Sequence, residues 1–414
     1  MSSTPWPREG WRTLAVVGLL GFSSGLPLSL SGATLQARLT AEGLPLSEIG
    51  WITLMGLPYT LKFLWAPWLD RWCFPILGRR RGWMFVTQLL VMGLIWWLGQ
   101  LSGTTAPHWL GGVALMLALA SATQDVVVDA YRTDILRPEE RGLGASASML
   151  GYRLALLCAG ALALILAARL GWRLSYEIMV AAMGIGIMAT LWAREPGGEV
   201  KLGQEGGYLM PWQDYLARPA AFSFLGLIVL YKLGDALAFA LSSAFLLRGL
   251  GFGLAEVGMV NKGVGLAATI LGSLAGGAVM LRWGLYQSLW RFGWIQGLST
   301  LSFVGLAAWG HHFGAMVLAV FIENFTSGLG TTAFAAMLMA LCNPRYSAAQ
   351  FALLSALAAL GRVLIGPLAG WLASWGGWEN YFLLATLLAL PGLWLVYRLR
   401  ASIALLSVVA TNRG

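Results

Sequence analysis

Two carboxylates stand four residues apart in an apolar run, Ser121-Ala122-Thr123-Gln124-Asp125-Val126-Val127-Val128-Asp129-Ala130. On a helix, that spacing puts Asp125 and Asp129 on one face. A carboxylate removed from water and set beside a switchable partner can take a proton from one side and release it to the other. Lys62 is the partner the sequence offers, because its own apolar stretch places it at a depth similar to that of Asp125. The plainer chemistry for the same residues is a fixed ion pair that holds two helices together, with Asp129 solvated near the end of its helix. Arg153, Lys232, Asp235, Lys262, Glu323 and Arg362 also fall inside apolar segments. A charge in hydrocarbon costs about 3 kcal/mol or more, so such side chains face a protein interior or a water-filled cavity. Residues of this kind line the path of a solute or an ion.

The elements that must position them are membrane helices. Hydrophobic residues make up 58% of the chain and charged residues 11%, against about 25% charged in ordinary soluble domains. A hydrocarbon core of about 30 Å takes about 20 helical residues to cross. Twelve stretches meet that length, predicted near 13–33, 47–67, 83–101, 109–130, 143–167, 172–193, 219–244, 255–281, 285–308, 314–341, 346–373 and 378–400. The fold class is therefore an all-α polytopic membrane protein. Residues 194–218 form the longest polar stretch and read as a flexible linker. They divide an N-terminal six-helix bundle at 1–193 from a C-terminal six-helix bundle at 219–414. With the N-terminus inside, 18 Lys and Arg fall in inner segments, and only Arg38, Arg169, Arg173 and Arg248 fall outside. The positive-inside rule then predicts that both termini are cytoplasmic and that residues 194–218 form a cytoplasmic linker.

The second half carries a polar set of its own. Lys232 and Asp235, three apart, share a helix face. Lys262, the Glu323-Asn324 pair and Arg362 fall in the outer halves of their helices. Arg153 lies about 15 Å from the inner surface by helix rise, near the midplane where transporter sites tend to form. Cations at these places suit an anionic solute; the same residues also read as a self-neutralising network, Lys232 with Asp235 and Lys262 with Glu323. Gln124, Tyr152 and Tyr231, on helices that carry buried charge, complete the candidate binding set, with Trp51 and Tyr59 as further aromatic surfaces.

Other classes are disfavoured. No HExxH or GxSxG motif is present, and His108, His311 and His312 all fall in predicted outer loops, so neither an enzyme nor a metal site is expected. The net charge of +9 resides in the inner loops, and no nucleic-acid partner is expected. Cys73, Cys158 and Cys342 form no disulfide framework. Thr13 to Ala33 is too long for the apolar region of a cleavable signal. A channel gives no reason for two six-helix halves. The expected partners are a small-molecule substrate and the lipid bilayer, with the protein a monomer, no cofactor, and a proton gradient as energy source.

The loop Ala66-Pro67-Trp68-Leu69-Asp70-Arg71, followed by Gly78-Arg79-Arg80-Arg81, resembles the loop signature of the major facilitator superfamily, as does the division into six and six helices. Ala66 stands where that signature has its first glycine, and extra residues separate Arg71 from Gly78. The resemblance implies a gating role for Asp70, Arg71, Arg79, Arg80 and Arg81, as a cytoplasmic latch between the bundles; a plain positive-inside loop is the alternative. Further motifs are Phe22-Ser23-Ser24-Gly25-Leu26-Pro27, Lys62-Phe63-Leu64-Trp65, Leu150-Gly151-Tyr152-Arg153-Leu154, Tyr231-Lys232-Leu233-Gly234-Asp235-Ala236, Val260-Asn261-Lys262 and Glu323-Asn324. In that order they resemble the AmpG family of muropeptide permeases from residue 18 to about 372. That resemblance implies proton-driven import, across the bacterial inner membrane, of N-acetylglucosaminyl-1,6-anhydromuramoyl peptides, for wall recycling and β-lactamase induction. AmpG members carry further helices after the twelfth, whereas only Ala401 to Gly414 follow Arg400 here. In that compactness the chain is similar to the siderophore permeases of the FptX and RhtX type, which implies uptake of a ferric siderophore such as ferric pyochelin. Both solutes are bulky, amphipathic and anionic.

Overall fold

The computed structural model describes residues 8–43, 56–73, 77–101, 107–197 and 207–408. Every element among them is helical, and nine helices are long and apolar enough to cross a membrane. Trp51, the first part of the predicted second helix and the middle of the linker lie outside the described residues. The chain forms two compact units. Unit 1 comprises residues 1–136, 147–212 and 342–353, and unit 2 comprises 137–146, 213–341 and 354–414. A sequence split at 193 and 219 therefore differs from the contact-defined units in two short segments, 137–146 and 342–353.

In unit 1 the elements run α1 (Arg8–Ser31), α2 (Ala33–Ala41), α3 (Leu57–Leu61), α4 (Ala66–Arg71), α5 (Arg79–Gln100), α6 (Pro107–Ile135), α7 (Arg141–Leu157, entering from unit 2), α8 (Ala163–Leu170) and α9 (Trp172–Trp192), then the first residues of α10 (Met210–Leu216). The predicted second helix is broken where it is described. A 3-10 turn at Lys62–Leu64 separates α3 from α4, and Pro58 and Pro67 stand in the first turns of those two helices. Proline lacks an N–H and fits a helix start rather than its interior, so two prolines here favour two short helices over one long one.

Leu26, Leu30, Val91, Ile95, Leu98, Val113, Leu117, Tyr176 and Met183 form the core of α1, α5, α6 and α9. Against α7, α1 presents glycines at 18, 21 and 25, one helical face at spacings of three and four. An added Cβ at Gly25 would lie 2.8 Å from the Tyr152 carbonyl oxygen, and one at Gly151 would collide with the Gly18 carbonyl. Small residues on both sides let the two backbones touch.

Unit 2 holds α11 (Ala221–Tyr231), α12 (Leu233–Ala244), α13 (Leu254–Met259), α14 (Leu266–Ser299), α15 (Leu301–Trp309), α16 (Phe313–Leu341), α17 (Ser347–Leu387, beginning in unit 1), α18 (Ala389–Arg398) and α19 (Arg400–Val408). The predicted single helix 219–244 is two, because Lys232 leaves the helical conformation with φ −101° and ψ 1°. The predicted boundaries near 281–285 and 373–378 reappear as sharp turns inside α14 and α17, at Gly284 and Gly377, both with φ 70°. That left-handed region is open to glycine and costly for other residues, which lets each chain reverse without a longer loop. Phe245, Phe303, Phe382 and Tyr381 pack as mutually perpendicular and stacked rings at the centre of the unit's core.

Gly272 and Gly276 bring α14 onto α16. A Cβ at Gly272 would collide with the Phe325 carbonyl, whereas one at Gly111 on α6 meets nothing within 4 Å. Gly272→Ala is expected to destabilise the purified protein by about 1–3 kcal/mol, the ordinary cost of overpacking. Gly111→Ala serves as control. Equal melting temperatures for the two variants in detergent would refute the contact.

Candidate functional site

The break at Lys62 and the long helix α6 build the first cluster. Lys62 Nζ lies 3.8 Å from Asp125 Oδ2 and 3.5 Å from Asp129 Oδ2, so the lysine bridges both carboxylates. Arg132, one turn on, donates to Asp129 Oδ1 at 2.9 Å and to Ser148 Oγ at 2.8 Å. The Ser24 hydroxyl of α1 donates to Asp125 Oδ1, and Tyr59 donates to Ser121 at 2.8 Å. Gln124, fully buried, donates to the hydroxyl of Ser23 at 2.8 Å and to its carbonyl at 3.1 Å. It therefore faces α1 rather than any open surface of the unit. Tyr152 backs onto Gly25. Beside it, partly buried Arg153 makes no hydrogen bond or ion pair among the described residues, and its Nε is buried without a partner.

A second cluster gathers the predicted latch residues at the start of α5. Arg80, fully buried, donates to Asp70 Oδ1 at 2.7 Å, to Asp134 Oδ2 at 2.8 Å and to Ser347 Oγ at 2.6 Å. Arg79 adds Asp134 at 3.2 Å and the carbonyls of Pro344 and Arg345. Asp70 accepts the amides of Ala348 and Ala349 at 3.2 and 2.8 Å, which sets a carboxylate on the positive end of α17. Burial raises the Asp70 carboxyl above its ordinary range, against the pull of Arg80 and the Ala349 amide. Glu195 sets a second carboxylate on a helix N-terminus, that of α5, where it accepts the amides of Arg80 and Arg81. Arg81 turns away to cap α9 through the carbonyls of Thr190 and Leu191. Arg71 lies beside Asp70, partly exposed. Asp134, Glu195 and Arg132 belong to these clusters and escape a reading of the sequence alone. Arg132, three residues beyond Asp129, carried the one available signal, because that spacing brings side chains together.

Unit 2 holds the third group. Lys232, at the break, donates to Asp235 Oδ2 at 3.2 Å and to Thr331 at 3.0 Å. Tyr231 is buried, donates to the Leu289 carbonyl and stacks on Phe334 at 5.7 Å. Asn324 accepts from Thr269 and donates to the Val320 carbonyl. The expected pair of Lys262 with Glu323 does not form among the described residues. Lys262 is exposed on a π-helical stretch at Val260–Gly265, whereas Glu323 is fully buried and accepts from Ser299 and Thr300 instead. Arg362 lies on α17, its side chain outside the described residues.

This helical fold, with charged clusters set deep between its helices, is that of a secondary transporter. Residues 17–304 match the profile of the Major Facilitator Superfamily, and the chain belongs to it. Among solved structures, a bacterial homologue of the iron transporter ferroportin in an outward-facing state aligns with a TM-score of 0.69 at 16% identity, over 94% of this chain and 99% of its own. The proton:xylose symporter XylE gives 0.67 at 11% identity, over 94% of this chain and 95% of its own. The chain also belongs to a narrower family. The anhydromuropeptide permease of Escherichia coli K12 is 47% identical over 382 residues, 92% of this chain and 78% of that protein. An uncharacterized protein of Haemophilus influenzae is 36% identical over 396 residues, 92% of this chain and 93% of its own.

Removing one partner of a buried ion pair leaves an uncompensated charge and costs about 3–5 kcal/mol. Arg80→Ala takes from Asp70 its buried cation and leaves Asp134 with Arg79 alone, and should lower the melting temperature of the purified protein far more than Arg81→Ala, which loses the carbonyl contacts to α9. Equal effects would show that the Arg80 network contributes nothing beyond a helix cap.

Proposed function

We propose that this chain imports anhydromuropeptides across a bacterial inner membrane, coupled to the entry of protons. The observation that carries the substrate is the 47% identity, across 92% of the chain, to a protein called anhydromuropeptide permease. It supports the muropeptide over the ferric siderophore.

The geometry of unit 1 supplies a reason for proton coupling. Lys62 and Arg132 set two positive charges against the two carboxylates Asp125 and Asp129, so the ionised cluster is neutral. One proton on Asp125 frees part of Lys62 and leaves the cluster with a single positive charge. A muropeptide carries carboxylate on its muramic lactyl group or on the peptide attached there, so proton loading makes the unit attractive to the solute and proton loss makes it indifferent. Arg153, with no described partner, is the direct contact for a carboxylate, and Tyr152 offers a ring face to the sugars. The Asp70–Arg80–Ser347 network acts as the latch: it ties α4 and the start of α5 to the first turn of α17 and must part during the cycle. The excess of inner-loop arginines supports cytoplasmic termini.

Proteoliposomes with an inward proton gradient test the reading. They should accumulate GlcNAc-anhydroMurNAc and ignore ferric pyochelin; the reverse result would reject the muropeptide. Asp125→Asn fixes the cluster in its cationic form and should abolish uphill uptake while sparing exchange of solute already bound. Gradient-driven accumulation at wild-type level in that variant would reduce Asp125 to a structural part.

Orientation has its own check. In a background with the three native cysteines replaced, a cysteine at Gly198 should resist a membrane-impermeant thiol reagent applied to the periplasmic face. Rapid labelling there would invert the topology.

A further inference from the structure

Glu323 occupies an unusual position for a carboxyl. It is 0% exposed on α16, and both its oxygens accept from hydroxyls only: Ser299 Oγ at 2.8 Å and Thr300 Oγ1 at 3.3 Å. Thr326 in turn donates to Ser299 at 2.8 Å. No Lys or Arg lies within ion-pair distance among the described residues. The charged groups that act on it are Asp235 and Lys232. Lys262, on the π-helical stretch packed against α16, is exposed and pairs with neither oxygen. An anion so enclosed is costly, and hydroxyl donors alone do not repay it; a proton on the carboxyl removes the charge.

Thr300 has a second face. With Tyr231, Asp235, Gln296, Ala385 and Ala389 it lines a cavity of about 10 Å³, the space of one water. Two of the wall residues carry buried polar atoms that lack partners among the described residues, Asp235 Oδ1 and Gln296 Nε2. One accepts and the other donates. Together with the Thr300 hydroxyl they give a water the three partners that buried waters typically hold.

We propose that Glu323 is a second proton-carrying carboxyl of this transporter, and that one water held by Asp235, Gln296 and Thr300 joins it to the Lys232–Asp235 pair. The proton leaves the Glu323 carboxyl for the Thr300 oxygen as that hydroxyl passes its own proton to the water. The water hands one of its protons to Asp235 Oδ1. No bond between heavy atoms changes; the proton passes from Glu323 to the carboxyl paired with Lys232, and the negative charge passes from Asp235 to Glu323. Asp235 thus receives the proton, and Lys232 is released towards Thr331. The purpose of the relay rests on the proton-coupled reading above, but its existence does not.

Infrared pH titration of the full chain in nanodiscs, with no solute, tests it directly. The wild type should show a protonated-carboxyl band near neutral pH that is lost in Glu323→Gln. Carbon-13 labelling of glutamate carboxyls should shift the same band in the wild type, which keeps the test open if the variant does not assemble. Thr300→Val and Gln296→Leu should each move its titration midpoint by about one pH unit. Absence of a glutamate-dependent band overturns the carboxyl assignment, and unmoved midpoints in both variants overturn the relay. In proteoliposomes Glu323→Gln should retain counterflow of GlcNAc-anhydroMurNAc and lose gradient-driven uptake. Loss of counterflow in the wild type as well would reject the substrate while leaving the infrared result intact.

Discussion

Burying charge is the constraint on which this structure turns. Each ion taken out of water costs several kcal/mol unless an opposite charge or a set of donors meets it at short range. The helices are arranged so that this happens. Asp125 and Asp129 meet Lys62 and Arg132; Arg80 meets Asp70 and Asp134; Lys232 meets Asp235. The glycine seams serve the same end. Gly21 sits directly against Ser148, and Ser148 is the hydroxyl that receives Arg132. A bulkier residue on α1 would push α7 away and leave that guanidinium short of an acceptor. Packing of the backbones and neutralisation of the cluster are therefore one requirement.

Much of this was legible in the chain. Apolar length gave the helices, since hydrocarbon thickness admits few alternatives. The four-residue spacing of Asp125 and Asp129 placed both on the face that Lys62 meets, and the three-residue spacing did the same for Lys232 and Asp235. Local rules of this kind carry over because the helix itself enforces them. Contacts between distant segments did not follow. Nothing around Glu323 announces that Ser299 and Thr300 will enclose it, nor does the run of arginines show that Arg80 alone is fully buried while Arg81 turns to α9. The breaks at Lys62 and Lys232 were also hidden. Pro58 and Pro67 hinted at the first, but no residue marks the second.

Those two breaks have a common logic. A helix interruption leaves backbone groups without partners, and in lipid that is tolerated only inside the protein or at a watery cavity. A lysine at each break lies where the backbone already requires a polar setting. The long side chain then reaches a carboxylate, on α6 in one unit and one turn further along α12 in the other. The units differ in their charge balance. In the Lys62 cluster of unit 1 charges balance two against two, whereas unit 2 adds to its Lys232–Asp235 pair the enclosed Glu323, which forms no ion pair among the described residues.

The first helix has a consequence for how the molecule is made. Ser24 of α1 donates to Asp125, and the Ser23 hydroxyl receives Gln124, in each case across 101 positions of sequence. Its glycine seam finds α7 later still. At a synthesis rate of about 5–20 residues per second, α1 leaves the ribosome roughly 5–20 s before those partners exist. During that interval two hydroxyls and a groove of bare backbone must be sheltered by lipid, by the insertion machinery or by the helix's own carbonyls. Until α6 and α7 are made, α1 therefore depends on its escorts at birth for contacts that its own protein later supplies.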